Sequence, residues 1–212
     1  MTKIAFGFLL LLLSITSFAK QRAVTETGDQ VVLYNDGTWV YAEKDSLHVK
    51  EIALNQRPFT KSKKASFLVK SKRIDIGCWI DPKIWKFRSS PGHEAAEFEI
   101  DHVDGSMYAL IITENLDVAT KSLGNLAVQN ALAAAPDLKV TAQEYRIVNS
   151  IKLLMLRMTG TIEDIRFEYF GYYVAGDGGA TQFLVYSSED FMEDNLAEAE
   201  DLLNGLVSLK NK

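Results

Sequence analysis

The fold is decided by a hairpin pattern in the second half of the chain, which begins at Val140-Thr-Ala-Gln-Glu-Tyr-Arg-Ile-Val148. The pattern continues through Asn149-Ser150 into Ile151-Lys-Leu-Leu-Met-Leu-Arg-Met158. Both runs are rich in β-branched, aromatic and other apolar residues, and Asn-Ser between them favours a tight turn. We therefore predict two antiparallel strands joined at Asn149 and Ser150.

A second hairpin follows, with strands at residues 165–174 and 181–187 around Gly176-Asp177-Gly178-Gly179. Strand alternation places Phe167, Tyr169 and Tyr173 on one face of the first of these strands. Aromatic rings are typical of a packed sheet interior. The same three rings could instead line a pocket between sheet and helix for a small apolar ligand, and both interpretations remain open.

Upstream of these hairpins, strands are predicted at residues 66–70, 73–80, 95–103 and 107–112. Asp81-Pro82 predicts one helical turn, because Asp favours the N-cap position and Pro the first helical position. In the 95–103 strand, Glu97, Glu99 and Asp101 share a face, which we expect to be solvated.

Two helices complete the predicted order of elements. Residues 116–135 form the first, capped by Asn115 or Asp117 and ended by Pro136. Residues 189–209 form the second, with apolar side chains at three- and four-residue spacing. Strands followed by helices in this order predict an α+β domain, an antiparallel β-sheet flanked by α-helices, over residues 65–212.

A smaller unit precedes this domain. Residues 20–42 predict a β-hairpin turned by Asn35-Asp36-Gly37, and residues 43–64 predict a linker with several lysines. An isolated hairpin is marginally stable in water, so Trp39 and Tyr41 are expected to dock on the main domain. Alternatively, Trp39, Tyr41 and Trp85 form an exposed recognition patch.

The first nineteen residues predict a cleavable signal peptide. Lys3 is followed by an apolar run at residues 4–13, and Ser17-Phe18-Ala19 fits a signal-peptidase site with cleavage after Ala19. No later segment is apolar enough to span a bilayer. We therefore expect a periplasmic or secreted protein.

The composition limits the possible activities. With 28 acidic and 23 basic residues, the chain has a formal net charge of −5, which disfavours a generally basic nucleic-acid binder. We find no hydrolase elbow, phosphate loop or dinucleotide fingerprint, and no His spacing for a metal. The single cysteine, Cys78, has apolar neighbours and is expected to be a buried, unreactive thiol. No catalytic residue, metal ligand or cofactor is therefore predicted, and a hydrolase is the least favoured activity.

Several motifs together resemble the PsbP-like superfamily over about residues 65–209. They are Ile76-Gly-Cys-Trp-Ile-Asp-Pro-Lys-Ile-Trp-Lys, Ala96-Glu-Phe-Glu-Ile, Tyr108-Ala-Leu-Ile-Ile-Thr-Glu, Phe167-Glu-Tyr-Phe-Gly-Tyr-Tyr and Leu203-Asn-Gly-Leu. The resemblance implies an antiparallel sheet flanked by helices. It also implies a binding or accessory role without catalytic residues. The stretch Asn35-Asp-Gly-Thr-Trp39 is similar to a hairpin of assorted exported bacterial proteins.

From these observations we expect an exported, non-enzymatic accessory protein. Its partner would be another envelope or extracellular protein, bound through the sheet–helix surface or the Trp39 hairpin. The alternative is a small-molecule or lipid binder with a pocket lined by Phe167, Tyr169 and Tyr173.

Overall fold

A computed structural model describes residues 21–25, 30–41, 52–176 and 178–210 of the chain. The predicted signal peptide at residues 1–19 lies outside these described residues. The strands in chain order are β1 (Gln21–Val24), β2 (Gln30–Leu33), β3 (Trp39–Tyr41), β4 (Leu54–Phe59), β5 (Phe67–Lys70), β6 (Ile76–Ile80), β7 (Trp85–Arg88), β8 (Phe98–His102), β9 (Tyr108–Glu114), β10 (Lys139–Val148), β11 (Ile151–Ile162), β12 (Ile165–Gly176), β13 (Gly179–Ser188) and β14 (Leu206–Ser208). The helices are α1 (Thr120–Ala134), α2 (Glu189–Asp194) and α3 (Leu196–Leu203).

An eight-stranded sheet forms the centre of the main domain, in the order β4-β10-β11-β12-β13-β9-β8-β7. Every neighbouring pair is antiparallel except β4 and β10, which run parallel. Strand β4 lies in the interval expected to be a linker, so that expectation is wrong for residues 54–59. The polar sequence Leu-Asn-Gln-Arg-Pro-Phe does not resemble a strand. Pro58, which lacks an N–H, is tolerated there because β4 lies at the edge of the sheet.

The predicted hairpin at Asn149 and Ser150 is present between β10 and β11. Both turn residues have positive φ, 47° and 71°, as in the type I′ turn that suits the right-handed twist of paired strands. Strands β12 and β13 pair on either side of the glycine-rich turn, with Gly176 opposite Gly179. The pairing within each of these two hairpins was therefore predictable from local turn chemistry.

Helix α1 covers one face of the large sheet, with Leu123 and Ala127 packing among side chains of β11 and β12. It begins at Thr120, later than predicted, and Ala119 is the N-cap in place of Asn115 or Asp117. Gly124 permits the close approach, because a Cβ there would collide with Leu154 of β11.

The other face of the large sheet is covered by a second sheet, in the order β14-β6-β5, together with α2 and α3. The mixed α+β architecture is confirmed. The expected single antiparallel sheet flanked by helices is incomplete, because one of the covering layers is itself a sheet. The larger core cluster lies between these two sheets.

The predicted single helix over residues 189–209 is wrong. Helix α2 ends at Asn195, whose Nδ2 donates a hydrogen bond to the Phe191 carbonyl oxygen at 2.9 Å. Helix α3 ends before Gly205, where a Cβ would collide with the Trp79 carbonyl oxygen. The chain then forms β14, which pairs with β6 with Leu206 opposite Cys78.

The acidic face predicted for the 95–103 strand is not solvated. Glu97 and Glu99 are 8% and 7% exposed. Glu97 accepts hydrogen bonds from Ser71 Oγ at 2.7 Å, from Lys72 N at 2.6 Å and from Thr113 Oγ1. Glu99 lies 2.6 Å from Arg88 and accepts from the His93 backbone N–H at 2.7 Å. Charged side chains at strand positions are buried here because each has several partners.

The N-terminal strands form a separate three-stranded sheet in the order β1-β2-β3. Its turn is held by Asp36, whose Oδ1 accepts hydrogen bonds from Thr38 N at 2.9 Å and Thr38 Oγ1 at 2.6 Å. Strand β1 approaches α1, where Ser122 Oγ donates to the Thr25 carbonyl oxygen at 3.4 Å. None of the helices in the described ranges is long and apolar enough to cross a bilayer.

Candidate functional site

A cleft of about 350 Å³ opens between α3, the turn after β6 and the segment at residues 62–65. It brings together aromatic walls and charged side chains from three separate parts of the chain. Its lining side chains include Lys64, Trp79, Asp81, Ile84, Trp85, Glu198, Glu200, Asp201 and Leu202. Lys61 Nζ lies 4.9 Å from the centre of the Trp79 ring. Sequence reasoning could not assemble this cleft, because its lining residues come from segments that lie far apart in the sequence.

His102 binds two carboxylates at the edge of this cleft. Its Nδ1 contacts Asp104, and its Nε2 lies 2.5 Å from Glu198 Oε1 of α3. Hydrogen bonds from Ser106 and then from His102 lower the pKa of Asp104 to about 2. His102 therefore fastens α3 to β8.

The buried Arg146 pairs with Glu200, a second carboxylate of α3. Arg146 Nη1 lies 2.7 Å from Glu200 and donates a hydrogen bond to the Tyr172 hydroxyl at 2.9 Å. The Tyr172 hydroxyl in turn donates to Asn204 Oδ1 at 2.8 Å. Burial raises the pKa of Tyr172 above its ordinary value. Tyr172 is thus poorly suited to proton transfer, and Glu200 is held by Arg146.

Cys78 is buried, as expected from its apolar neighbours. Burial raises the pKa of the thiol, which disfavours the thiolate needed for nucleophilic attack or metal binding. Its sulfur lies 3.9 Å from the Leu202 carbonyl oxygen of α3. Among the described residues, no group of three or more His, Cys, Asp and Glu side chains could hold a metal ion.

Trp39 and Tyr41 lie exposed on β3 in the described part of the chain. They are 51% and 58% exposed, and their rings contact each other edge to face at 5.3 Å. Trp85, the third residue of the predicted patch, is 2% exposed and packs edge to face on His102 at 5.1 Å. The structure therefore keeps Trp39 and Tyr41 together and places Trp85 in the core.

Phe167, Tyr169 and Tyr173 share one face of β12, as strand alternation predicted. Phe167 and Tyr173 are buried and Tyr169 is half-buried against the cluster beneath α1. Burial raises the pKa of both Tyr169 and Tyr173. Close packing in this cluster assigns the rings to the core, and their use as pocket walls is not supported by these contacts.

The two arginines in apolar strands are paired with carboxylates. Arg157 binds Glu168 through Nε and through Nη2 at 3.0 Å, and Arg166 binds Glu189 of α2 through Nε and through Nη2 at 2.9 Å. The Arg157 pair joins β11 to β12, and the Arg166 pair joins β12 to the start of α2. They give the arginines a structural role.

The sequence matches no family model and no curated protein. The solution structure of cyanobacterial PsbP (CyanoP) from Synechocystis sp. PCC 6803 is similar, with a TM-score of 0.54 and 10% identity. The likeness covers 68% of this chain and 93% of that chain. LpqN, involved in cell envelope biogenesis of Mycobacterium tuberculosis, gives a TM-score of 0.45 at 12% identity, over 65% of this chain and 86% of that chain.

A protein of unknown function from Pseudomonas aeruginosa gives a TM-score of 0.44 at 9% identity, over 67% of this chain and 97% of that chain. At these identities a likeness concerns the fold and carries no activity or partner across. The similarity to CyanoP agrees with the motifs between residues 65 and 209. The main domain of this chain has a PsbP-like fold.

Proposed function

We propose that this chain is an exported, non-enzymatic accessory protein that binds another envelope or extracellular protein through Trp39 and Tyr41. The leader pattern at residues 1–19 supports export to the periplasm or the exterior. The observation that carries the binding role is the exposure of the aromatic pair on β3, the outer strand of the N-terminal sheet in the described part of the chain.

The chemistry of β3 suits recognition of an extended protein segment. An outer strand offers unpaired backbone N–H and C=O groups, to which a partner strand can add. Trp and Tyr dominate protein interfaces because they bury a large area while losing little side-chain entropy. Val40, between them, is exposed as well. Trp39 and Tyr41 therefore present an apolar surface on one face of β3, and Val40 is exposed on the other face.

The side-chain chemistry of the main domain supports a non-enzymatic role. Arg146 and Glu200 form an ion pair, and His102 lies against Glu198, so these side chains pack α3 on the sheet. Cys78 is buried away from solvent. These contacts give the groups a role in stabilising the fold, which supports an accessory role for the chain.

Affinity capture with the full mature chain tests the proposal. Wild type, Trp39→Ala/Tyr41→Ala and a control variant, Ile165→Ala, would be coupled to resin and exposed to the native envelope fraction. Ile165 is also an exposed apolar residue but lies at the start of β12 in the main domain. We expect one protein to be enriched by wild type and Ile165→Ala, and lost with the double variant.

The captured protein would then be purified and titrated against all three forms. Loss of both aromatic side chains should weaken its affinity by tenfold or more, as expected when interface hot spots are truncated. Unchanged affinity of the double variant would refute a role for β3. A far-ultraviolet spectrum and thermal transition like those of wild type would show that the variant remains folded.

Small-molecule binding is the second candidate, and the cleft beside α3 favours it. Its volume of about 350 Å³ lies at the lower end of the range for ligand sites, about 300–1,000 Å³. A lipid-sized ligand would need more room. In this candidate function the ligand would bind in the cleft beside α3 and not in the pocket that was expected beneath α1.

A further inference from the structure

A second cavity, of about 320 Å³, lies beside the glycine-rich turn of the main domain. It is bounded by the β12–β13 turn, the start of β6, the β10–β11 turn and the chain after β14. Ile76, Ile151 and Val174 form aliphatic walls. The volume and the walls suit a small ligand with an aliphatic body.

Thr181 in the wall of this cavity has an unmet hydrogen-bonding group. The residue is 1% exposed, and its Oγ1 has no hydrogen-bond partner among the described residues. It lies directly opposite Val174 on β12, so both side chains point to the same side of the sheet. A buried hydroxyl without a partner is costly, and native proteins usually satisfy such a group with water or a ligand.

Two oppositely charged side chains, Asp75 and Lys210, lie at the mouth of the cavity and do not form an ion pair with each other. Asp75 and Lys210 are both exposed, and neither forms an ion pair within the described ranges. Their backbones are close, since the Leu209 N–H donates to the Asp75 carbonyl oxygen at 2.9 Å. Lys210 Nζ lies 3.0 Å from the place that a Cβ on Gly178 would occupy. The absence of a side chain at Gly178 thus leaves room for the ammonium group over the turn.

We propose that this cavity binds a small aliphatic amino acid. The ligand carboxylate would bind Lys210, whose long stem can follow it, and the ligand ammonium would bind Asp75. The aliphatic side chain would lie against Ile76, Ile151 and Val174. The Thr181 hydroxyl would donate to an oxygen of the ligand or of a water held by it.

This choice of ligand follows from the charges. A simple carboxylate would place an anion beside Asp75, and a simple amine would place a cation beside Lys210. A zwitterion complements both groups, and its aliphatic body complements the walls. The proposal is independent of the protein-binding role proposed for Trp39 and Tyr41.

Calorimetric titration of the full mature chain tests this inference with three matched probes. L-leucine carries both charges, 4-methylpentanoate lacks the ammonium group and isoamylamine lacks the carboxylate. We expect leucine to bind most tightly. Lys210→Met and Thr181→Val should each weaken leucine by about fivefold, the loss typical of one net hydrogen bond. Thr181→Ser keeps the hydroxyl and should bind like wild type.

Asp75→Asn supplies the sharpest comparison. It should weaken leucine, because only leucine has an ammonium group for Asp75, and it should not weaken 4-methylpentanoate, because it removes a like charge from beside that carboxylate. Trp39→Ala/Tyr41→Ala should bind leucine like wild type. Absence of leucine binding at concentrations up to about 10 mM, a very weak affinity, would overturn the proposal. Equal affinity for the three probes, or leucine binding unaffected by both Lys210→Met and Thr181→Val, would do the same.

Discussion

The N-terminal sheet and the eight-stranded sheet use similar residues to opposite effect. Each contains a strand with aromatic side chains two positions apart, Trp39 and Tyr41 on β3 and the rings of β12. On β3 the rings are exposed to solvent, and on β12 they are buried beneath α1 or beneath the second sheet. Sequence alternation fixes which face a ring occupies, but only the layers that cover that face decide whether it is buried.

The largest expected difference between the two sheets is in the free energy of unfolding that is lost when an aromatic side chain is replaced by alanine. Tyr173→Ala should lower the free energy of unfolding by about 3–5 kcal/mol, because it removes a fully buried aromatic side chain and leaves a cavity. Trp39→Ala should change it by about 0.5 kcal/mol or less, as is usual for exposed positions. Urea unfolding of both variants would measure this. Equal losses would show that the N-terminal sheet packs on the main domain.

A smaller effect separates two tyrosines of β12 itself. Tyr172→Phe should lower the free energy of unfolding by about 1–3 kcal/mol, because the hydroxyl accepts a hydrogen bond from Arg146 and donates one to Asn204. Tyr169→Phe is the matched control, since no hydrogen bond of its hydroxyl to a described residue is found. The comparison would fail if Tyr169→Phe were as damaging as Tyr172→Phe in the same urea titration.

The smallest expected effect is on stability at acid pH, and it compares one aspartate from each sheet. Asp36 and Asp104 both accept hydrogen bonds from the residue two positions on, and both have a lowered pKa. Asp104 has a pKa of about 2 in the folded protein against an ordinary value of 3.8, so its contribution to stability is present above pH 4. That contribution is lost as the pH falls toward 2.

Asp104→Asn should therefore flatten the fall in the urea midpoint of the main domain between about pH 4 and pH 2. Asp36→Asn should leave that fall unchanged, because Asp36 lies in the other sheet. An Asp36→Asn profile that matched the Asp104→Asn profile would indicate that the two sheets unfold as one unit.

The sequence was informative where structure is set locally. The turn at Asn149 and Ser150, the glycine-rich turn and the two faces of β12 were all predicted from neighbouring residues. These features depend on backbone preferences and on alternation along one strand. The PsbP-like motifs added the order of elements.

The errors arose where distant segments decide the outcome. Glu97 looked solvated because its partners Ser71 and Thr113 come from other strands and loops. The C-terminal helix looked continuous because the contact of Gly205 with the Trp79 carbonyl cannot be read from spacing. Both cavities combine residues from several segments, so no local pattern predicted them.

The pairing of β14 with β6 has a consequence for how the molecule reaches its native state. Strands β10 to β13 can form from neighbouring hairpins within a short length of chain, and such local contacts form early. Strand β6 acquires one of its two neighbours only from the last residues of the main domain. Until that end has been synthesised and docked, one edge of the second sheet is open to pairing with other chains. Removal of the final residues should therefore slow maturation and favour aggregation more than an equally short deletion at the N-terminal hairpin.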